Sequence, residues 1–169
     1  KRDKSVKSIL AYASTYKVLV DYLSDSGDTS EMFNIKAIFS SSALLDKETK
    51  EKLNQVFDCP IIDRYSNQEN GVLAQTKSTL GEFYINRASY HIELLKLDSD
   101  KPAEAGELGR IVLTDLYNFA MPMLRYDTGD LAISDDENRD CLKTLRSIQG
   151  RRVDIIYDTK GNVLTPHTW

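Results

Sequence analysis

The sequence contains little of what marks disulfide-stabilised, metal-binding or membrane-spanning proteins. Its 169 residues include two cysteines, Cys59 and Cys141, which are too few for a disulfide framework and lack the spacing of a metal site. No run of apolar residues approaches the roughly 18 that are needed to span a bilayer. These absences predict a protein of the reducing cytoplasm that has no membrane partner.

An excess of positive charge is also missing. The chain has 22 Lys and Arg against 26 Asp and Glu, which gives a net charge of -4. Such a chain has no general attraction for nucleic acid, so we expect no nucleic-acid partner, and any bound phosphate must be held by local groups. With 41% hydrophobic and 28% charged residues, the composition is that of an ordinary globular domain.

The first part of the chain has a pattern of alternating helices and strands. Apolar residues between positions 6 and 23 recur at steps of three and four, which predicts an amphipathic helix. A strand at residues 35–39, a helix at residues 46–57 with Asp46 as its N-cap, and a strand at residues 59–62 follow closely. Strand, helix and strand joined by short connections predict a βαβ unit on a parallel sheet.

After residue 65 the pattern changes to short β-rich segments separated by polar turns. The main predicted strands are residues 72–74, 82–85, 90–97, 109–114, 142–148 and 153–157. Lys-Gly-Asn at residues 160–162 predicts a hairpin turn. The fold class predicted from these patterns is α/β, with a parallel βαβ portion followed by a β-rich portion.

A first candidate site is Tyr-Asp-Thr-Gly-Asp at residues 126–130. Gly129 permits a tight turn after a strand, and Asp130 would then project a carboxylate at the end of that strand. A carboxylate in this position accepts hydrogen bonds from the two hydroxyls of a ribose. The alternative is a simple turn, which is what most isolated Thr-Gly-Asp sequences are.

A second candidate site is the polar segment at residues 63–69, which follows a buried strand. Ligands of α/β sheets bind at the carboxyl ends of strands. Here Tyr65 is suited to stack on a purine, and Glu69 offers the oxygen ligand that Mg²⁺ prefers. The alternative is a polar loop with a partly packed tyrosine.

A third candidate site is Gly-Arg-Arg-Val-Asp at residues 150–154. Arg151 can pair with phosphate through its planar fork of donors, and Asp154 can lie at a hinge. A solvated charged turn is the alternative for this segment when it is taken alone.

The order of these segments resembles that of the adenylate-forming superfamily, which includes acyl-CoA synthetases, luciferases and peptide-synthetase adenylation domains. Within it the chain looks most like the phenylacetate–CoA ligase branch and the related capsular polysaccharide biosynthesis proteins. The similarity is most specific in Gly-Glu-Leu-Gly-Arg-Ile-Val-Leu-Thr-Asp-Leu at residues 106–116 and Met-Pro-Met-Leu-Arg-Tyr-Asp-Thr-Gly-Asp at residues 121–130. Residues 10–14 and 35–39 also look like that branch, so the resemblance covers nearly the whole chain.

The resemblance implies a reaction in two halves. A carboxylic acid attacks the α-phosphate of ATP to give an acyl-adenylate and pyrophosphate, and a thiol, usually coenzyme A, then displaces AMP. By the family pattern Tyr65 would flank the adenine, Glu69 would bind Mg²⁺, and Asp130 would hold the ribose hydroxyls. Arg151 would approach the ribose or phosphates, and Asp154 would mark the hinge of a rotating C-terminal domain.

The resemblance also implies a division of the chain. Residues 1–149 would be the C-terminal part of the large AMP-binding domain, ending in a distorted barrel, and residues 150–169 would be the hinge and the start of the small domain. Because the family's glycine-rich phosphate loop and its catalytic lysine have no counterpart here, we expect a fragment that does not complete adenylation alone. The identity of the carboxylic acid is left open.

Some positions depart from the family pattern. Ser66 and Gln68 stand where glycine and a hydroxyl residue are common, and Val153 stands where an acidic residue is common. These departures keep a second hypothesis open, a non-catalytic nucleotide-binding relative with a role in polysaccharide biosynthesis. A third hypothesis is a β-rich interaction domain whose motif matches are accidental. Some relatives carry a cysteine cluster near Cys141, but that cysteine is alone here, so we predict no zinc site.

Overall fold

The computed structural model describes residues 5–42, 45–79 and 81–165, which belong to two compact units. The first unit ends at Gly81 and the second begins at Glu82. The domain boundary that we predicted at residue 150 does not coincide with this division at Gly81 and Glu82, and it stays a prediction.

The first unit is a βαβαβ arrangement followed by one more strand. Its elements are β1 (Ser8–Tyr12), α1 (Ala13–Asp25), β2 (Ala37–Ser41), α2 (Lys47–Phe57), β3 (Ile61–Asn67) and β4 (Gly71–Gln75), with a 3-10 turn at Ser30–Met32. Strands β1, β2 and β3 pair in parallel, and β4 pairs antiparallel with β3. The predicted parallel βαβ portion is therefore confirmed.

The core of the first unit consists of apolar side chains from both helices and from β2 and β3. Tyr16 of α1 is fully buried, and its hydroxyl lies 3.1 Å from the carbonyl oxygen of Ile9 and 2.9 Å from that of Phe39. This hydroxyl therefore joins the helix to β1 and β2. Within the described ranges, neither helix is long and apolar enough to cross a membrane.

The helix predicted from residue 6 to residue 23 begins later than its periodicity suggests. Residues 8–12 are strand β1, and α1 starts only at Ala13. In β1 the side chains of Ile9 and Ala11 are partly buried, whereas Leu10 is exposed. Pairing of this segment with β2 outweighs its helical spacing, because a strand satisfies the backbone and buries alternate residues at the same time.

The regular elements of the second unit are strands, apart from one 3-10 turn at Arg152–Asp154. The strands are β5 (Phe83–Ile85), β6 (Tyr90–Leu95), β7 (Leu108–Asp115), β8 (Tyr126–Ile133), β9 (Thr144–Leu145), β10 (Ser147–Arg151), β11 (Ile156–Tyr157) and β12 (Val163–Leu164). Strands β10, β8, β7 and β6 form an antiparallel sheet in that order, β5 pairs with β9, and β11 pairs with β12 around the predicted hairpin turn. The β-rich portion is confirmed, but the described strands form no closed barrel, so the barrel that the resemblance implied is not observed among them.

Gly109, in the Gly-Glu-Leu-Gly segment, shows why β7 needs a residue without a side chain. A Cβ atom at this position would lie 3.0 Å from the carbonyl oxygen of Leu95 and 3.1 Å from the Cβ of Ala103. We expect Gly109→Ala to lower the free energy of unfolding by about 1–3 kcal/mol, because the contacts are too short to be relieved by a side-chain rotation. Urea denaturation measures the change.

The matched control is the double variant Gly109→Ala, Ala103→Gly. It removes the contact with the Cβ of Ala103, one of three short contacts, and is expected to recover part of the lost stability. Unchanged stability in the single variant would show that β6 and β7 separate at no cost.

Candidate functional site

Thr-Gly-Asp at residues 128–130 forms a bulge inside strand β8. These three residues stand opposite the single residue Ile111 of β7, between regular pairs on either side. Gly129 has φ +75°, a backbone conformation that glycine adopts without steric cost. The expected turn after a strand is therefore a bulge within one, because β8 resumes its pairing with β7 beyond Asp130.

Side chains complete the hydrogen bonding of this Thr-Gly-Asp bulge. The backbone nitrogen of Gly129 donates to Oδ1 of Asp127 at 3.0 Å. The hydroxyl of Thr128 donates to the carbonyl of Ile111 at 3.1 Å and accepts from the nitrogen of Asp130, also at 3.1 Å. These hydrogen bonds satisfy backbone groups that, because of the bulge, have no partner in the regular pairing of β7 with β8. They therefore fix the backbone conformation next to Asp130.

Asp130 and Arg151 come from two separate sequence segments and meet across the sheet. They are register partners on β8 and β10, and Nε of Arg151 lies 3.4 Å from Oδ1 of Asp130. The side chain of Asp130 is 14% exposed and that of Arg151 is 66% exposed. A partly buried carboxylate beside an exposed guanidinium can accept hydroxyl donors at one group and bind a phosphate at the other.

Asp154 follows this pair at a short distance along the chain. Strand β10 ends at Arg151, and residues Arg152–Asp154 form a 3-10 turn in which Asp154 is exposed. Its role as a hinge stays a prediction.

Tyr65 and Glu69 lie on one hairpin of the first unit. Strand β3 continues to Asn67 instead of ending at residue 62, so Tyr65 is a strand residue that pairs with Ala74 and is 7% exposed. Glu69 is exposed in the turn between β3 and β4. The side chain of Asn67 accepts from the nitrogen of Asn70 at 2.8 Å and orders this turn. The segment expected to be a loop is thus mostly strand, because β4 supplies partners for it.

The structure contains a buried ion pair between α2 and β3 that was not predicted from the sequence. Nζ of Lys50 on α2 contacts the carboxylate of Asp63 on β3, with side chains 13% and 6% exposed. Burial raises the pKa of Asp63, and the ammonium of Lys50 partly offsets that rise. Within the described ranges, the other oxygen of Asp63 and the hydroxyl of Ser40 are buried without a hydrogen-bond partner. The sequence signal that could have indicated this ion pair is the position of Lys50. It lies three residues before the buried Leu53 and therefore on the apolar side of α2.

The described residues contain no group of three or more His, Cys, Asp or Glu side chains that is placed to hold a metal ion. Cys141 accepts a hydrogen bond from Arg87, with 2.9 Å between Sγ and Nη2. Cys59 is buried in the first unit. Among the described residues, neither cysteine belongs to a group of three or more possible metal ligands.

Solved structures of acid–CoA ligases share this fold. A 2-hydroxyisobutyryl-CoA ligase in complex with 2-HIB-AMP and CoA matches with a TM-score of 0.73 and 19% identity over 94% of this chain and 39% of that one. The anthranilate CoA ligase AuaEII in complex with anthranoyl-AMP matches with a TM-score of 0.73 and 17% identity over 96% and 33%. MatB from Rhodopseudomonas palustris matches with a TM-score of 0.72 and 17% identity over 95% and 34%.

Among characterised sequences, Protein CapK of Staphylococcus aureus is 25% identical over 134 residues, which are 76% of this chain and 28% of that protein. No protein-family model matches the sequence. The described chain therefore has the fold of part of these solved CoA ligases, and the predicted resemblance is confirmed at the level of the fold. It spans roughly a third of the length of these three solved chains.

Proposed function

We propose that this chain is a nucleotide-binding part of an AMP-forming ligase. The complete enzyme would activate a carboxylic acid with ATP, release pyrophosphate and transfer the acyl group from the adenylate to a thiol such as coenzyme A. The observation that carries this proposal is the pairing of Asp130 with Arg151, at a separation of 3.4 Å, next to a glycine bulge. The shared fold with acid–CoA ligases supports it.

Asp130 and Arg151 have the chemistry that a nucleoside phosphate requires. The carboxylate of Asp130 would accept hydrogen bonds from the ribose hydroxyls, which a partly buried acceptor does more strongly than a hydrated one. The guanidinium of Arg151 is exposed enough to approach a phosphate while it keeps its contact with Asp130. The same pair would therefore hold the sugar and neutralise charge on the phosphates.

The hairpin of the first unit would serve the base and the metal ion. Glu69 is exposed in a turn, and one carboxylate together with phosphates and water is a common way to bind Mg²⁺, so its chemistry fits that ion. When bound, Mg²⁺ would neutralise charge on the phosphates. Tyr65, which is largely packed in β3, would flank the adenine along one edge.

The remaining roles follow the same proposal. Residues 1–149 would belong to the large domain and residues 150–169 to the hinge and the small domain, which would turn about Asp154 between the two half-reactions. Phosphoryl and nucleotidyl transfer need positioning and charge neutralisation more than a protein nucleophile, and the proposed residues supply these. The setting would be the cytoplasm.

Nucleotide binding tests the proposal. We expect the chain to bind AMP in isothermal titration calorimetry, and Asp130→Asn to weaken that binding by about 10- to 150-fold, the range expected for lost hydrogen bonds to a charged group. AMP is the probe because it contains the ribose and one phosphate and needs no metal ion.

Asp135→Asn is the matched control. Asp135 also pairs with an arginine, Arg146 at 3.0 Å, but it lies outside the Thr-Gly-Asp bulge. We expect this variant to bind AMP like the unchanged chain. Equal affinity of Asp130→Asn and the unchanged chain would contradict the role of Asp130, and no AMP binding by the unchanged chain would count against the function itself.

A non-catalytic nucleotide-binding relative is the second candidate. The hydroxyls of Ser66 and Ser41 are 3.0 Å apart, and the side-chain amide of Asn67 donates a hydrogen bond to that of Asn70 at 3.2 Å. Several polar side chains of the hairpin that carries Tyr65 and Glu69 thus stabilise the fold itself, which favours this second candidate. Pyrophosphate exchange into ATP separates the two candidates in the full-length protein, since only an active ligase catalyses it. We expect the 169-residue chain alone to show no exchange under either candidate.

A further inference from the structure

Arg110 on β7 is held by acceptors on several sides and is only 12% exposed. Its Nε donates to the carbonyl of Lys96 at 3.1 Å, and Nη2 contacts the carbonyl of Ser99 at 3.3 Å and the carboxylate of Asp100. Its Nη1 donates to Oδ2 of Asp127 at 2.8 Å. A planar guanidinium with four such contacts is fixed in orientation, so the group that faces Asp127 is pre-organised.

Asp127 connects this arginine to the Thr-Gly-Asp bulge. One oxygen of its carboxylate binds Arg110, and the other accepts from the backbone nitrogen of Gly129 at 3.0 Å. A carboxylate held by a guanidinium cannot rotate away from that nitrogen without losing a charge-assisted hydrogen bond. Asp130, the proposed ribose acceptor, is the next residue after Gly129. Arg110 is therefore linked to Asp130 through the carboxylate of Asp127 and the backbone of Gly129.

We propose that Arg110 is a positioning residue of the nucleotide site. Through Asp127 it keeps the Thr-Gly-Asp bulge in the conformation in which Asp130 faces the ribose hydroxyls. The inference rests on the proposed function for its ligand, whereas the link from Arg110 to the bulge rests on the contacts alone. It connects Arg110, at the end of the Gly-Glu-Leu-Gly-Arg segment, with Asp127, 17 residues later in the chain and directly before the Thr-Gly-Asp segment.

A purely structural role for Arg110 predicts different behaviour. Its contacts with Ser99 and Asp100 also hold the connection between β6 and β7, and their loss would loosen that connection without reaching the bulge. Arg110→Met and Arg110→Lys separate the two roles. Both retain a long aliphatic stem, but only lysine offers Asp127 a cation.

The test measures two quantities in the same chain. The first is AMP affinity by calorimetry, and the second is hydrogen exchange at the backbone nitrogens of Gly129 and Asp130 by NMR. For Arg110→Met we expect about tenfold weaker AMP binding and about tenfold faster exchange, the scale of one lost charge-assisted hydrogen bond. We expect Arg110→Lys to recover part of both, and Arg146→Met, which removes the arginine paired with Asp135, to change neither.

A double-mutant cycle with Asp127→Asn completes the test and provides a second variant if Arg110→Met folds poorly. If Arg110 acts through Asp127, the two substitutions together weaken AMP binding no more than the stronger single one. Additive losses, or unchanged exchange at Gly129 and Asp130 in Arg110→Met, would overturn the inference while the unchanged chain still binds AMP. Absence of AMP binding by the unchanged chain would overturn the proposed function and the nucleotide role of Arg110 with it.

Discussion

Replacement of Lys50 by methionine is expected to lower the free energy of unfolding by about 3–5 kcal/mol at pH 7, because it leaves the carboxylate of Asp63 buried without its cation. Methionine retains the length of the aliphatic stem, so the packing of α2 against β3 changes little. Urea denaturation followed by circular dichroism measures the loss. The expected size reflects the burial of both partners, which excludes the water that would otherwise solvate an unpaired charge.

The pH dependence of this loss distinguishes a lost charge from lost packing. Burial raises the pKa of Asp63, and without Lys50 that pKa rises further. A carboxyl group with a raised pKa favours folding when it is protonated. The deficit of Lys50→Met should therefore be smallest below the unfolded carboxyl pKa of about 3.9 and should grow as the pH rises through the raised value.

Two controls accompany Lys50→Met. The double variant Lys50→Met, Asp63→Asn removes both charges and is expected to recover much of the stability. Lys52→Met removes a lysine of the same helix that pairs with Asp21 and Glu48 but is solvated, so its effect should be far smaller. A deficit in Lys50→Met that stays equal from pH 4 to pH 8 would mean that the charge of Asp63 is not its cause.

Leu131→Ala is expected to lower the free energy of unfolding by about 2–5 kcal/mol, the cost of a cavity at a fully buried leucine. Leu131 follows Asp130 in β8, and its side chain packs in the second unit. Leu131 is the first residue beyond the bulge and stands opposite Arg110 of β7 and Gly150 of β10, so its buried side chain anchors β8 directly next to Asp130. Urea denaturation of the whole chain measures the effect.

Leu131→Met preserves most of the side-chain volume and should cost less than about 1.5 kcal/mol. Leu116→Ala, at a leucine that is 45% exposed in the same unit, should change stability by less than about 0.5 kcal/mol. An equal loss in Leu116→Ala and Leu131→Ala would contradict the burial that assigns Leu131 to the core.

Local sequence signals predicted those elements whose causes lie within a few residues. Asp46 was expected to cap a helix, and its Oδ1 accepts from the nitrogen of Thr49 at 2.8 Å at the start of α2. The hairpin turn at residues 160–162 is confirmed by the pairing of β11 with β12, since the turn itself determines which residues pair. In both cases the interacting groups are neighbours in sequence.

Where the partner lies far along the chain, local signals were insufficient. Residues 8–12 have helical spacing but form a strand, because β2, about 29 positions later, offers a parallel partner. The segment around Tyr65 was predicted as a polar loop after a short strand, and β4 makes it part of a longer one. Periodicity does not specify which remote segment will satisfy a backbone.

By itself the sequence determined the α/β class, the order of the candidate segments and the chemistry that each one carries, because residue type and local spacing suffice for these. Only the tertiary structure decided that the Thr-Gly-Asp segment is a bulge within β8, that Asp130 meets Arg151, and that Lys50 reaches Asp63. The physical reason is that sheet register and helix docking result from the summed burial of many remote residues, and they bring together charges that no short segment contains.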